Sequence, residues 1–348
     1  MTIQTGLDYI RSRSIVDCDT MDEQVAKTLG PFHDCTSNQA IAYNELTKPE
    51  HAELLQSSHT KAKALIQEYP GLTIEELAIE IAMISLSLRI APHITGHIHI
   101  QTNPYYSYST EKTIVNALRT SIHPSIHPSP LHAHNRTTEP PLTPPLCTHK
   151  TGIVNLTHQL SPTHPQSRIC IKIPSTWEGL KACQVLEQAG VRTLATTLFT
   201  MPQAILAAEV GCTYIAPYVN QLRVHFEPGF KDPSPLLHFS ALVQKYYASI
   251  GSQTQVLPAS LTSTNEIFAL AGVQHITIAP GLLDELAKPL LEGKVPVESL
   301  FESPAVVEAA VPGKEVSYVG DEAGYRIAFT RDANGLSEEK LTQGYTTI

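Results

Sequence analysis

Short apolar runs rich in β-branched residues alternate with longer stretches of helical periodicity along nearly the whole chain, the pattern of βαβ units around a parallel sheet. Eight runs read as strands: Ser14 to Asp19, Pro31 to Thr36, Thr95 to Gln101, Arg168 to Ile173, Thr193 to Leu198, Cys212 to Tyr218, Gln255 to Ala259 and His275 to Ala279. Between them, Thr73 to Ser87 places Ile74, Leu77, Ile81 and Leu86 at helical spacing, and Trp177 to Gln188 is a second helix closed by Gly190. The stretch from Gln39 to Ile90 holds more helix than one crossover needs. Eight strands alternating with helices predict an α/β fold of the closed (β/α)8 TIM-barrel type rather than an open doubly wound sheet, with residues 1–348 as one domain.

One segment breaks the pattern. Residues 121–167, just before the fourth strand, hold seven histidines and nine prolines and show neither period. Proline at that density removes backbone donors and blocks regular structure, so the segment is expected to be a disordered insertion, or even translated intron. Its histidines (His123, His127, His132, His134, His149, His158 and His164) invite a metal-site reading, but ligands need a rigid frame, and no metal is expected there.

Composition narrows the function. The net charge of −9, from 33 acidic against 24 basic residues, comes without a basic cluster, which argues against nucleic acid. No apolar run reaches the roughly 18 residues of a membrane span, and Met1 to Ile10 lacks the basic start and apolar core of a signal peptide, so a cytoplasmic protein is expected. On that expectation the acceptor triplets at Asn135 and Asn155 carry no meaning. Six scattered cysteines without a C-x-x-C pair signal neither zinc ribbon nor disulfide framework and read as small buried hydrophobes.

The chemistry concentrates at Arg168 to Gly179. Ile169, Ile171 and Ile173 alternate with Cys170 and Lys172, so the isoleucines face the helices and Lys172 points into the barrel near its C-terminal mouth, where such folds place their chemistry. Desolvation disfavours an ammonium, and a neutral amine attacks carbonyls. The competing reading is a lysine paired with a barrel carboxylate. Polar residues recur at the ends of the other strands: Asp19; Thr36, Ser37 and Asn38; Gln101 and Asn103; Thr196; Tyr218 and Asn220; Ser260. Each alone is compatible with a cap or turn, but their recurrence reads as a shared site.

On these residues the chain resembles the transaldolase family. Ile171-Lys-Ile-Pro-Ser-Thr-Trp-Glu-Gly179 is very close to that family's lysine signature, Val16-Asp-Cys-Asp-Thr20 is similar to its aspartate strand, and Thr36-Ser-Asn-Gln39 to its Thr-Thr-Asn-Pro turn. The resemblance implies that Lys172 forms an imine with a ketose and that Asp19 moves protons during carbon–carbon cleavage. Asn38, Thr36, Ser37, Ser260 and Asn220 would contact the sugar. It implies no cofactor, small ketose and aldehyde substrates in carbohydrate metabolism of the pentose-phosphate type, and leaves a homodimer open.

Departures from the family pattern are informative. Its water-holding glutamate corresponds to Gln101, with the accompanying threonine kept as Thr196; the related fructose-6-phosphate aldolases use glutamine and a tyrosine that Tyr218 resembles. A substrate-binding asparagine corresponds to Leu194, and two phosphate-binding arginines to Gln221 and Thr262, with Arg223 the nearest substitute in sequence. The expected activity is transfer of a dihydroxyacetone unit to an aldehyde. An aldolase-like lyase acting on an unphosphorylated or specialised substrate is the alternative, and a non-catalytic scaffold is the third reading.

Overall fold

All eight expected strands form, and all join one parallel sheet. The computed structural model describes residues 4–120 and 168–346; the histidine-rich stretch 121–167, with its seven histidines and both acceptor triplets, lies outside the described residues. The strands are β1 (Ile15–Asp19), β2 (Cys35–Thr36), β3 (Ile98–Gln101), β4 (Ile169–Pro174), β5 (Arg192–Leu198), β6 (Tyr214–Pro217), β7 (Gln255–Val256) and β8 (His275–Ile278). Their order is β7-β6-β5-β4-β3-β2-β1-β8. The two ends of that sheet meet where the Thr277 amide donates to the Pro258 carbonyl at 3.4 Å, so the sheet curls into a barrel. Two strands are shorter than their apolar runs predict. Pro31 and Pro258 supply no N–H to a ladder, and regular pairing survives only at Cys35–Thr36 and Gln255–Val256, with single bridges from Phe32 to Ile94 and from Tyr218 to Ala259.

The helices begin where side chains can satisfy their first amides. Thr73 caps the helix Ile74–Ile90 in a reciprocal box with Glu76, and that helix buries Leu77, Ile81, Ile84 and Leu86 against the barrel. The excess helix between Gln39 and Ile90 resolves into Gln39–Leu46, Ala52–Leu65 and Ile74–Ile90. Thr176 caps the helix Trp177–Gln188 by accepting from the Gly179 amide at 2.8 Å. Among the described residues five cysteines are free and buried, and no helix is long and apolar enough to cross a membrane.

Two helices beyond the barrel, Glu322–Arg331 and Leu336–Thr346, reach back to its C-terminal end. Tyr325 donates its hydroxyl to the Ser175 carbonyl just past β4 (3.2 Å), and buried Lys340 pairs with Asp232 in the loop after β6 (3.2 Å). The turn between β4 and its helix is equally constrained. A Cβ on Gly179 would stand 2.0 Å from the Pro174 carbonyl oxygen, an atom that cannot swing aside. Gly179→Ala is therefore expected to lower stability by about 1–3 kcal/mol, the range for forced overpacking. Equilibrium urea unfolding measures it, and an unchanged midpoint would show that the turn relaxes freely.

Candidate functional site

Lys172 stands where its alternation predicts. Its side chain is 2% exposed, and the isoleucines on either side belong to the apolar core. In register beside it are Gln101 on β3 and Leu194 on β5. Its Nζ lies 5.9 Å from the centre of the Tyr218 ring, and among the described residues no carboxylate comes within ion-pair distance. Among the described residues the paired-lysine alternative finds no partner.

Two further polar groups near it lack partners. Gln101 Oε1 and Thr196 Oγ1 are buried and make no hydrogen bond among the described residues. Buried polar atoms are seldom left so, and at a barrel mouth they mark places for water or ligand. Thr196 is aimed by an irregularity: the register between β5 and β6 shifts between Ala195 and Leu198, and Thr197 takes a left-handed φ of 52°. On the opposite side of the barrel, Asp19 is half-buried and accepts from the Thr36 hydroxyl at 2.6 Å, which is in turn 2.6 Å from Thr277 Oγ1. That chain of hydroxyls fixes one carboxylate oxygen and leaves the other for chemistry.

The remaining sequence candidates divide. Asn38 caps the helix Gln39–Leu46 through its Oδ1 (2.9 Å to the Ile41 amide), leaving its amide nitrogen available. Ser260 sits just past β7 with φ 59°. Ser37 donates to the His99 carbonyl at 3.0 Å and is buried, so its proton is committed to the scaffold. Asn220 spends its amide on the Ser260 carbonyl (2.9 Å) and Glu266 (3.0 Å), tying two loops together. Arg223 is exposed, paired with Glu227 and stacked on Phe230 at 4.3 Å, and does not join the group around Lys172.

Sequence reasoning missed His225. Its Nε2 lies 2.8 Å from Ser260 Oγ, and partial desolvation by the surrounding loops lowers its pKa against the pull of Asp19 and Glu266, although the residue keeps an exposed edge. It comes from a short 3-10 turn, Leu222–His225, which has no periodicity to expose it.

A second polar group, also missed, lies one layer deeper. Asp17, two residues before Asp19 on the same strand face, pairs with His275 Nδ1 at 2.9 Å and accepts the Asp34 amide at 2.8 Å. Asp34, fully buried, accepts from the His97 amide (2.6 Å) and pairs with His33 Nδ1 (2.7 Å) and His99 Nε2 (2.9 Å). Burial alone would raise the Asp34 pKa, yet the three histidines outweigh it and hold the carboxyl far below the usual range. Asp17 moves the other way, raised chiefly by burial, and burial lowers His99.

Comparison with known proteins gives one family. The family model described as Transaldolase/Fructose-6-phosphate aldolase matches residues 15–124 and 142–339. A transaldolase of Synechocystis sp. is 29% identical over 344 residues, covering 97% of this chain and 76% of that protein. Transaldolases of Chlamydia caviae and Glaesserella parasuis are each 28% identical, over 98% and 97% of this chain and 92% and 96% of theirs.

Proposed function

The chain belongs to the transaldolase/fructose-6-phosphate aldolase family, and from that premise we propose that it is a transaldolase-type enzyme working through a Schiff base on Lys172. The observation that carries this reading is the buried Lys172 amine, which among the described residues has no ionic partner and stands beside the similarly unpartnered polar atoms of Gln101 and Thr196. The amine adds to the C2 carbonyl of a ketose and the carbinolamine loses water, which Gln101 and Thr196 hold, with Tyr218 lining the same side. The resulting iminium is an electron sink. Asp19 takes the proton of the C4 hydroxyl, the C3–C4 bond breaks, and the aldehyde fragment leaves. The three-carbon enamine stays on Lys172 until C3 attacks an acceptor aldehyde; Asp19 returns the proton, and water releases the new ketose. In this reading Asn38 and Ser260 hold the sugar hydroxyls.

Borohydride reduction during turnover tests this directly. With fructose 6-phosphate, fructose and dihydroxyacetone in parallel, a ketose adduct is expected on the Lys172 peptide by mass spectrometry. No adduct with any of the three would sink the proposal.

The same loops set a preference for uncharged sugars. The two positions that correspond to the family's arginines, Gln221 and Thr262, carry no cation, and the backbone N–H of each donates to a carboxylate, Asp232 at 2.8 Å and Glu266 at 2.6 Å, so this end of the barrel offers a phosphate negative rather than positive neighbours. Lys340 is engaged with Asp232 and the Ser234 carbonyl. Each missing charge-assisted contact is worth roughly 1.5–3 kcal/mol. Comparable kcat/KM for phosphorylated and unphosphorylated ketoses is the expected result, and a preference of a thousandfold for the phosphate ester would contradict it.

A further inference from the structure

The Asp/His cluster beneath Lys172 plays no part in the imine chemistry, and its composition is unusual for a barrel interior. We propose that Asp17, His33, Asp34 and His275 form a binding site for one divalent first-row transition ion, of which Zn²⁺ is the natural occupant, and that the ion ties β1, β2 and β8 together at the N-terminal end of the barrel. One ligand atom from each of the four residues lies within 4.8 Å of all the others. A tetrahedral shell with bonds of about 2.0–2.2 Å holds its donors roughly 3.3–3.6 Å apart. The shortest pairs, His33 with Asp34 at 2.7 Å and Asp17 with His275 at 2.9 Å, open slightly to admit the ion, and the widest close onto it.

Charge favours the same conclusion. Two carboxylates with zero exposure are brought together in a low-dielectric interior, where their charge has to be offset by neighbouring imidazoles or by a cation. A +2 ion cancels both carboxylates. Two imidazoles and two carboxylates are a borderline donor set that suits zinc, whereas magnesium and calcium prefer an all-oxygen shell.

The surroundings are built for the four residues. Gly96 packs where a Cβ would fall 2.1 Å from Asp34 Oδ1 and 2.4 Å from the His33 ring, so the missing side chain makes room for the pair. His99 holds the second oxygen of Asp34, the position of an outer residue that orients a metal-bound carboxylate, and its own Nδ1 is buried without a partner. The His33 side chain is 41% exposed and gives the ion a way in from solvent, while the other three ligands are closed off. The ligands come from separated segments of the chain, and so present no ligand spacing in the sequence.

The test uses the full-length protein, stripped with chelator and titrated with Co²⁺. One equivalent is expected to give the visible d–d bands of a four-coordinate nitrogen/oxygen site, displaced by Zn²⁺ and not by Mg²⁺. His33→Gln and His275→Gln are expected to remove those bands and weaken Zn²⁺ binding at least ~100-fold, and His99→Gln to weaken it about 10–100-fold as an outer residue. Lys172→Met is expected to leave them unchanged. If His275→Gln does not fold, His33→Gln decides, because its ring is partly in solvent. Bands absent from the native chain, or uptake unaltered in His33→Gln, would overturn the proposal; the latter would assign the ion to histidines elsewhere in the chain.

Discussion

Replacing Lys172 by methionine is expected to abolish borohydride trapping and cut turnover on the order of 10⁶-fold, the scale of loss when an enzyme's covalent nucleophile is deleted. The same substitution is expected to leave the melting temperature unchanged or raise it. Lys172 is buried and among the described residues has no carboxylate partner, so an unbranched thioether of similar length removes a desolvation cost and breaks no ion pair. A structural lysine behaves in the opposite way, since loss of one half of a buried pair costs roughly 3–5 kcal/mol. Activity and calorimetry on one variant therefore separate the two roles. Retained turnover would remove Lys172 from the reaction, and a large drop in stability would restore the ion-pair reading.

How far the site was legible follows from where its residues sit. Lys172 was readable because it interrupts a run of isoleucines on one strand, and alternation then dictates its direction. Strand number was readable from the alternation of short apolar runs with helical stretches, although proline shortened β2 and β7 below the reach of the apolar pattern. Polar residues at strand ends were identified by position, but position does not reveal where a proton goes: Ser37 and Asn220 prove to be committed to backbone and loop, and Arg223 to Glu227. Nor does it reveal a bulge, which is what re-aims Thr196.

The deeper cluster was hidden for a different reason. By alternation His99 shares the face of Gln101 and Asp17 that of Asp19, but alternation within one strand does not tell which side chains on other strands they meet. Only the closed barrel brings β1, β2, β3 and β8 into register and shows that these side chains face one another.

Asp34→Ala measures what that cluster contributes to the fold. Its carboxylate receives the His97 amide at 2.6 Å, His33 at 2.7 Å and His99 at 2.9 Å, and is wholly shielded from water. Truncation strands the His97 N–H and the His99 ring in the interior, each costing about 1–3 kcal/mol when no partner replaces the lost one. Because the deleted group is a buried charge, the total is expected to approach 3–5 kcal/mol. Urea unfolding with chelator present throughout isolates this term from bound metal, and the midpoint should fall with little change in slope. Asp34→Asn keeps one carbonyl oxygen for the His97 amide and is expected to lose distinctly less. A loss below about 1 kcal/mol for Asp34→Ala would mean that water enters beside His33 and satisfies the abandoned donors, and that β1, β2 and β3 are held by their apolar packing alone.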